Sequence, residues 1–132
     1  MTPFRYTTEV RFRDLDAMGH LNNAVFLTYL EQARIRWWEP QLQGRRWQEH
    51  GFLIARTEID YRRPVLFHDV VHVELVVRQV GTSSFALGFR FLRAKDEVVM
   101  AEGQTVQVMM DFDAERPRPI PPETLAWLKA QA

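Results

Sequence analysis

The sequence predicts an α+β fold in which a five-stranded antiparallel sheet is wrapped around one long central helix. Five segments alternate apolar and polar residues with the period of a half-buried strand, and one long segment repeats apolar residues at helical spacing. Short polar turns separate the later strand segments, which favours antiparallel hairpins. Because the helix follows the first strand, the other four strands can curl around it.

The size and composition of the chain indicate one globular domain spanning residues 1–132. Its 17 basic and 17 acidic residues create no global field toward nucleic acid or an anionic membrane, so neither is an expected partner. No apolar run is long enough to cross a bilayer, and the N-terminus lacks the apolar segment of a signal peptide, so we expect a cytoplasmic protein. The absence of cysteine excludes thiolate catalysis, disulfides and zinc–thiolate sites.

The first strand and the helix have the clearest patterns. Residues 4–12 alternate and predict a strand with one apolar face. From Asn22 or Asn23 to about Trp38 the chain has no proline or glycine, and its apolar residues recur at spacings of three and four, which predicts a helix of about four turns. Apolar side chains cover much of its circumference, as expected of a helix that is wrapped by a sheet. Pro40 and Gly44 are expected to end it.

Four further strands are predicted at residues 52–61, 70–80, 85–93 and 97–111. The polar stretches "VGTSS" and "AKDE" are typical of hairpin turns between neighbours. In the last strand the alternation loses its phase near Gly103, where we expect a β-bulge or bend. A proline-rich connector then leads to a short helix at about 122–131, with Pro122 in its first turn.

The most reactive combination of residues is "RDLDAMGHLNN", residues 13–23, between the first strand and the helix. Gly19 allows a sharp turn, and Asn22 or Asn23 can cap the helix. Unpaired N–H groups and the positive end of the helix dipole suit this place to hold a developing oxyanion. A carboxylate beside it, Asp14 or Asp16, completes the parts needed to hydrolyse an activated acyl group. A plain helix cap is the alternative interpretation of the same residues.

Other chemistries have weaker support. The only serines, Ser83 and Ser84, lie in a predicted turn outside any G-x-S-x-G motif, which argues against a serine triad. His68 and His72 would stand about 13 Å apart on a strand, too far to share a metal ion. Asp14, Asp16 and His20 could surround a divalent cation only in a tightly folded loop, so neither a metal nor a cofactor is predicted.

At this motif the sequence resembles the hotdog-fold acyl-CoA thioesterases of the 4-hydroxybenzoyl-CoA thioesterase type. The family pattern D-x-D-x-x-G-H-x-N-N, followed by an aromatic-rich helix, is matched from Asp14 to Asn23 and then by "FLTYLEQAR". The stretches "IDYRRPVLFHD" and "RPRPIPPE" are also similar, so that roughly residues 5–122 follow the family's order of elements. The resemblance implies a hotdog fold and the hydrolysis of an acyl-CoA thioester to a free acid and coenzyme A.

The resemblance also assigns residue roles. Asp16 would be the catalytic carboxylate, acting as nucleophile or as general base, and the backbone N–H of Asn23 would polarise the thioester carbonyl. For His20 three roles stay open: it orients Asp16, contacts substrate or stabilises the loop. Glu31 would lie about 12 Å along the helix from Asn23, so we expect it to form a salt bridge, with Arg34 or Arg36 as partner, instead of a catalytic group.

The resemblance further implies a homodimer or homotetramer with each active site at a dimer interface, as the free strand edges also suggest. Four arginines are candidates for the phosphates of coenzyme A: Arg62, Arg63, Arg90 and Arg93. Two rival functions remain open, a hotdog hydratase or dehydratase acting on thioesters and a non-catalytic acyl-thioester binding protein. The acyl group itself is left open.

Overall fold

The computed structural model describes residues 2–132 and shows one long helix, one principal sheet and several short elements. In chain order the elements are β1 (Phe4–Glu9), α1 (Asn23–Leu42), α2 (Trp47–His50), β2 (Phe52–Tyr61), β3 (Val70–Val80), β4 (Ser84–Arg93), β5 (Val98–Asp111), β6 (Arg116–Pro117) and α3 (Pro122–Gln131). A single 3₁₀ turn, Phe12–Asp14, stands between β1 and α1. Among residues 2–132, no helix combines the length and apolar composition that crossing a membrane requires.

The sheet has the strand order β1-β3-β4-β5-β2, and each of these pairings is antiparallel. The predicted α+β fold, an antiparallel sheet curled around one long helix, is confirmed, as are the two hairpins that join β3 to β4 and β4 to β5. The structure adds β6, a two-residue strand paired with β5, which is too short to show an alternating pattern. Strands β1 and β2 form the two ends of the sheet.

Helix α1 supplies the centre of the core. Its predicted apolar stripe is buried, including Phe26, Leu30 and Ala33. Trp38 is fully buried; its indole stacks on the ring of Phe85 with centroids 5.7 Å apart, and its N–H donates to the carbonyl of His50 at 2.9 Å. Buried aromatic packing therefore holds α1 against the sheet and against the turn that follows α1.

The predicted end of α1 is wrong, because the helix continues through Pro40 to Leu42. The last turn is held from outside the helix: the guanidinium of Arg45 donates to the carbonyls of Gln41 and Leu42 at 2.6 and 3.0 Å. These contacts satisfy terminal carbonyls that otherwise lack intrahelical partners. The chain then turns at Gln43 and Gly44, whose φ angles are 50° and 79°.

The first strand is shorter than predicted, since β1 ends at Glu9 and the 3₁₀ turn begins at Phe12. Burial alternates as expected up to Val10, but Phe12, placed on the apolar face by the pattern, is 76% exposed. The reversal of the chain at the 3₁₀ turn breaks the period of two and turns this side chain outward.

The bulge expected near Gly103 lies at Met100 instead. Phe91 pairs with Ala101 and Leu92 with Val99, so that Met100 is the extra residue on β5, whereas the register on both sides of Gly103 is regular. Gly103 serves a different purpose, because a Cβ at this position would lie 1.9 Å from the carbonyl oxygen of Glu58. The glycine allows β2 and β5 to approach each other closely.

We expect the substitution Gly103→Ala to lower the free energy of unfolding by about 1–3 kcal/mol, because the added methyl group must push backbone atoms of β2 away from β5. Denaturant unfolding measures the change. Gly81→Ala is the matched control, since its Cβ would meet the Ser84 carbonyl at an ordinary 3.4 Å. Equal stabilities of the two variants would contradict the steric explanation.

A buried polar chain joins α1, α2 and α3. Thr124 donates its hydroxyl proton to Gln41 at 2.7 Å, so it accepts from Nε2 of His50 at 3.1 Å, while Arg118 donates to Nδ1 of His50 at 3.3 Å. Burial and the nearby charges of Arg45 and Arg118 lower the pKa of His50, with Glu123 opposing them. At pH values between this lowered pKa and the ordinary pKa of histidine, His50 is therefore neutral in the folded protein but charged in the unfolded chain.

This arrangement predicts that the free energy of unfolding decreases as the pH falls below about 6.5, the ordinary pKa of an unfolded histidine. In this range the histidine binds a proton in the unfolded state, whereas His50 stays unprotonated in the folded state. Replacement of His50 by glutamine should flatten the fall in unfolding free energy between about pH 7 and pH 5. Denaturant titrations at several pH values provide the measurement. An unchanged slope in the His50 variant would refute the assignment.

Candidate active site

A pocket of about 220 Å³ opens at the start of α1 and contains all three site residues predicted from the sequence, Asp16, His20 and Asn23. Its other walls come from the loop before α1, from α1 itself and from the segment after β2. These lining residues are Met18, Leu21, Phe26, Tyr61, Arg62, Arg63 and Pro64. The fold thus joins residues that are far apart in sequence around one concave surface.

The loop before α1 is a tight reverse turn. The backbone N–H of Asp16 donates to the carbonyl of His20 at 2.8 Å, and the N–H of Gly19 donates back to the carbonyl of Asp16 at 3.1 Å. Gly19 has a φ of 81°, which is the left-handed conformation that favours glycine. The backbone N–H of Leu21 donates to the carbonyl of Val65 at 2.8 Å, which holds the turn against the segment before β3.

The carboxylate of Asp16 is held at one oxygen only. Its Oδ1 accepts the backbone N–H of Met18 at 2.9 Å and that of His20 at 3.2 Å. Within residues 2–132, no donor contacts Oδ2. The loop thus orients the carboxylate through one oxygen and leaves the other able to receive a proton or to attack a carbon atom.

Asp14 has a different environment, although it lies only two residues away. It is buried, and it accepts the hydroxyl of Tyr29 at 2.6 Å and two guanidinium N–H groups of Arg11 at 3.2 Å. Burial raises the pKa of Asp14, but the hydrogen bonds from Arg11 and Tyr29 outweigh it and hold the pKa below its usual range. Asp14 does not line the pocket, and its contacts are those of a structural anchor.

The start of α1 offers one backbone donor to the pocket. Asn22 is the cap, and its Oδ1 accepts the N–H of Ala24 at 2.8 Å, while its carbonyl accepts the N–H of Val25 at 2.9 Å. The N–H of Asn23 has no acceptor among the residues that the structure describes. It lies at the positive end of the helix dipole, where a developing negative charge is stabilised.

Tyr61 is a site residue that the sequence did not indicate. Its hydroxyl donates to the carbonyl of Asn23 at 2.9 Å, and its ring packs edge to face on Phe26 with centroids 5.1 Å apart. Burial raises the pKa of Tyr61, so the hydroxyl stays a donor at neutral pH. The sequence placed Tyr61 on an apolar strand face; a contact across 38 residues leaves no local pattern.

His20 contributes through its backbone, which supplies both a donor and an acceptor to Asp16 and pairs with Leu66. No hydrogen bond to its imidazole is present within residues 2–132, although the side chain lines the pocket. Of the three roles left open for His20, the geometry supports orientation of Asp16 by the main chain and leaves the ring available to a ligand.

The candidate arginines differ in their surroundings. Arg90 pairs with Glu74 at 2.9 Å and Arg93 with Asp96 at 2.7 Å, both away from the pocket. Arg62 lines the pocket and pairs with Glu102 at 3.2 Å. Arg63 also lines the pocket and forms no ion pair among the described residues. It is the guanidinium best placed to meet an anionic group of a ligand.

The expected salt bridge of Glu31 is not formed. Arg36 pairs with Glu39 at 3.8 Å, and neither Arg34 nor Arg36 contacts Glu31 within the described part of the chain. Glu31 lines a different pocket, on the side of α1 that faces β2. No group of three histidine, aspartate, glutamate or cysteine side chains in residues 2–132 is placed to hold a metal ion.

Known proteins share both the sequence pattern and the fold. The chain is 26% identical to the 1,4-dihydroxy-2-naphthoyl-CoA hydrolase of Nostoc punctiforme, over 96% of this chain and 86% of that protein. It is also 26% identical to the long-chain acyl-CoA thioesterase FadM of Escherichia coli, over 82% of this chain and 83% of FadM.

A crystal structure of a thioesterase complexed with coenzyme A and Zn, from Thermus thermophilus, superposes with a TM-score of 0.83 and 36% identity, covering 99% of this chain and 97% of that one. Residues 10–128, which include the whole pocket, match the family model described as the thioesterase-like superfamily. The chain therefore belongs to the thioesterase-like superfamily and is a thioesterase-family enzyme.

Proposed function

We propose that this chain hydrolyses an acyl-CoA thioester to a free carboxylic acid and coenzyme A, with Asp16 as the catalytic carboxylate and the Asn23 backbone N–H as the oxyanion donor. One observation carries the proposal: Asp16, whose carboxylate is bonded at one oxygen, and Asn23, whose N–H has no acceptor in the described chain, line the same pocket at a helix start. Thioester hydrolysis needs both parts, a group that attacks or activates water and a donor for the carbonyl oxygen.

The carboxylate can act in two ways. As a general base, Asp16 takes a proton from water, the hydroxide oxygen bonds to the thioester carbon, and the C–S bond breaks to release the thiolate of coenzyme A, which gains a proton. As a nucleophile, Oδ2 itself bonds to the carbon and expels the thiolate, and water then cleaves the resulting anhydride. In both routes the Asn23 N–H holds the oxygen on which negative charge develops.

Single-turnover hydrolysis in ¹⁸O-labelled water identifies the nucleophilic route if water cleaves the anhydride at the aspartyl carbon. The general base places ¹⁸O directly in the acid product, whereas attack by Oδ2 followed by water addition at the aspartyl carbon gives a first product without label.

The nature of the relatives supports coenzyme A as the carrier of the acyl group, and the Arg63 guanidinium, which has no ion pair in the described chain, supports a contact with an anionic part of it. The rings of Phe26 and Tyr61 form an apolar wall beside Asn23 against which an acyl group can lie. The Zn bound in the Thermus structure has no evident counterpart, since no suitable trio of side chains meets in residues 2–132, and no step is assigned to a metal.

We also propose that the active protein is a homodimer or homotetramer with the pocket at an interface between copies. The pocket is open, and the free edges of β1 and β2 end the sheet on both sides within the described chain. Exposed strand edges in natural proteins are ordinarily covered by another element or another copy. A partner copy would close the pocket and exclude water from the acyl group.

Thiol release from a panel of short, long and aromatic acyl-CoAs is the direct test, and we expect the substitution Asp16→Asn to lower kcat by about 10²–10⁴-fold. Asparagine keeps the Oδ1 acceptor for Met18 and His20, so the loop should survive. The matched control Asp14→Asn should retain far more activity but lower the free energy of unfolding by about 1–3 kcal/mol, because Asp14 accepts the buried Tyr29 hydroxyl.

Wild-type activity in the Asp16→Asn variant would exclude the mechanism. Binding of acyl-CoA by the wild-type protein without thiol release would instead identify a non-catalytic binding protein, and hydration of an enoyl thioester would identify a hydratase.

Tyr61 is a positioning residue, and Tyr61→Phe should lower kcat by roughly 2–10-fold while KM changes little, because the lost bond to the Asn23 carbonyl loosens the helix start. Tyr6→Phe is the control, since the Tyr6 hydroxyl bonds Gln32 and does not line the pocket. Steady-state kinetics of both variants give the comparison. A Tyr61 variant with unchanged kcat would show that the contact does not position the oxyanion donor.

A further inference from the structure

A row of exposed apolar side chains begins at the mouth of the active-site pocket. Met18 lines the pocket and is 75% exposed. Leu66 is 48% exposed and pairs by a β-bridge with His20, another lining residue. Phe67 and Phe12 complete the row; they are 41% and 76% exposed, and their ring centroids lie 5.9 Å apart. Single exposed apolar side chains are common on proteins, but four together beside a pocket mark a surface that binds an apolar group.

The turn that carries part of this apolar row is held in one conformation. The backbone N–H of Leu66 donates to the carboxylate of Asp69 at 2.9 Å, and the N–H of Asp69 donates back to the carbonyl of Leu66 at 3.1 Å. Between them, the ring of His68 stacks on that of Phe67 with centroids 3.9 Å apart. The aromatic surface is thus formed before a ligand arrives, so a ligand that covers it does not have to order it.

The pocket is closed toward the interior of the molecule. Its buried wall is Phe26, whose ring packs edge to face on fully buried Phe91 with centroids 5.1 Å apart. The volume of about 220 Å³ is below the roughly 300–1,000 Å³ of pockets that enclose a whole ligand. Because the thioester group itself takes up part of this volume beside Asn23, only the first carbons of an acyl chain fit, and a longer chain has to leave through the mouth.

We propose that the acyl group of the substrate is a long aliphatic chain, which passes Met18 and lies over the rings of Phe67 and Phe12. The inference rests on the proposed hydrolysis of an acyl-CoA thioester and adds the class of the acyl group. A methylene that is fully buried raises affinity about fourfold, so one that lies on an apolar surface with its other side in water contributes about twofold. Long chains therefore bind better while the thioester keeps its place beside Asn23.

An acyl chain fits the apolar row better than the other candidates do. The phosphates of coenzyme A find cationic partners where Arg62 and Arg63 line the pocket, whereas the apolar row offers them none. The acyl chain is the apolar part of the substrate, and the row is continuous with the pocket wall at Met18. A second protein copy is less suited, because four partly exposed side chains supply less than the roughly 800 Å² per partner that a stable interface buries.

The ratio of kcat/KM for tetradecanoyl-CoA to that for butanoyl-CoA tests the proposal, with both substrates below micelle-forming concentrations. The ratio should be well above one in the wild-type protein, and Phe12→Ser and Phe67→Ser should each lower it by about 5–10-fold, because the chain loses apolar surface. Val76→Ser is the matched control, since Val76 is also exposed but lies on β3 outside the pocket and the apolar row; it should keep the wild-type ratio. A ratio cancels differences in the fraction of folded protein.

Wild-type ratios in both ring variants would overturn the proposal, as would equal kcat/KM values for the two substrates in the wild-type protein. If Phe12→Ser changes the oligomeric state in sedimentation and leaves the ratio unaltered, a second copy covers the rings and the proposal is wrong. If Phe67→Ser fails to fold by circular dichroism, Phe12→Ser decides, since its ring is the most exposed of the row.

Binding of the free acids, butanoate and tetradecanoate, is measured by calorimetry separately from thiol release. If no thiol is released from any acyl-CoA, the catalytic proposal fails and these affinities decide the present one. A preference for tetradecanoate that falls in Phe12→Ser supports the apolar row as a chain-binding surface, whereas equal affinities for the two acids reject it.

Discussion

The hydrogen bonds made by the buried Asp14 hold the elements around the pocket together. It receives the Tyr29 hydroxyl from the second turn of α1 and the guanidinium of Arg11 from the end of β1, while its own carbonyl accepts the N–H of Asn22. Strand, loop and helix cap are thereby tied to one residue, whose carboxylate is buried while the side chain of Arg11 stays largely exposed. Only with the cap fixed does the next N–H, that of Asn23, have a defined position.

Two neighbouring residues of the same type thus have different tasks because their surroundings differ. Asp14 uses both carboxylate oxygens for structural bonds, whereas Asp16 uses one and keeps the other available. A carboxylate with every oxygen bonded would need to break bonds before it could accept a proton, and one without any would have no fixed orientation. The half-bonded state of Asp16 satisfies both the need for orientation and the need for reactivity.

Patterns among neighbouring residues predicted those features of the fold that interactions between neighbours determine. The helical spacing of Phe26 and Leu30, the positions of the five main strands and the sharp turn at Gly19 all follow from neighbours in the chain, and each is found in the structure. The prediction failed at one local contact and at one distant contact. Arg45 stabilises the last turn of α1 beyond Pro40, and the contact of Tyr61 with Asn23 depends on the path of the whole sheet.

In the candidate site too, some features follow from neighbouring residues and others do not. The loop from Asp16 to Asn23 lines one pocket because a glycine turn and an asparagine cap are encoded within a few residues. The surroundings of Arg34 could not be predicted in this way: helical spacing favoured a salt bridge from Glu31 to Arg34 or Arg36, but Arg34 is buried and Arg36 pairs with Glu39. The bulge was predicted near Gly103 but lies at Met100. The alternation of apolar residues indicates only which side chains are buried, and because Met100 is itself fully buried, the pattern does not mark it as the extra residue.

The bulge at Met100 links the core to the cationic wall of the pocket. Its carbonyl accepts the backbone N–H groups of Arg62 at 2.8 Å and of Arg63 at 3.0 Å, which anchors the chain just as it leaves β2. A main-chain carbonyl in the core therefore holds the segment that carries these two arginines. A packing change around Met100 would therefore shift the part of the pocket wall that carries Arg62 and Arg63, so a substitution at this interior position alters the shape of the pocket as well as the stability of the core.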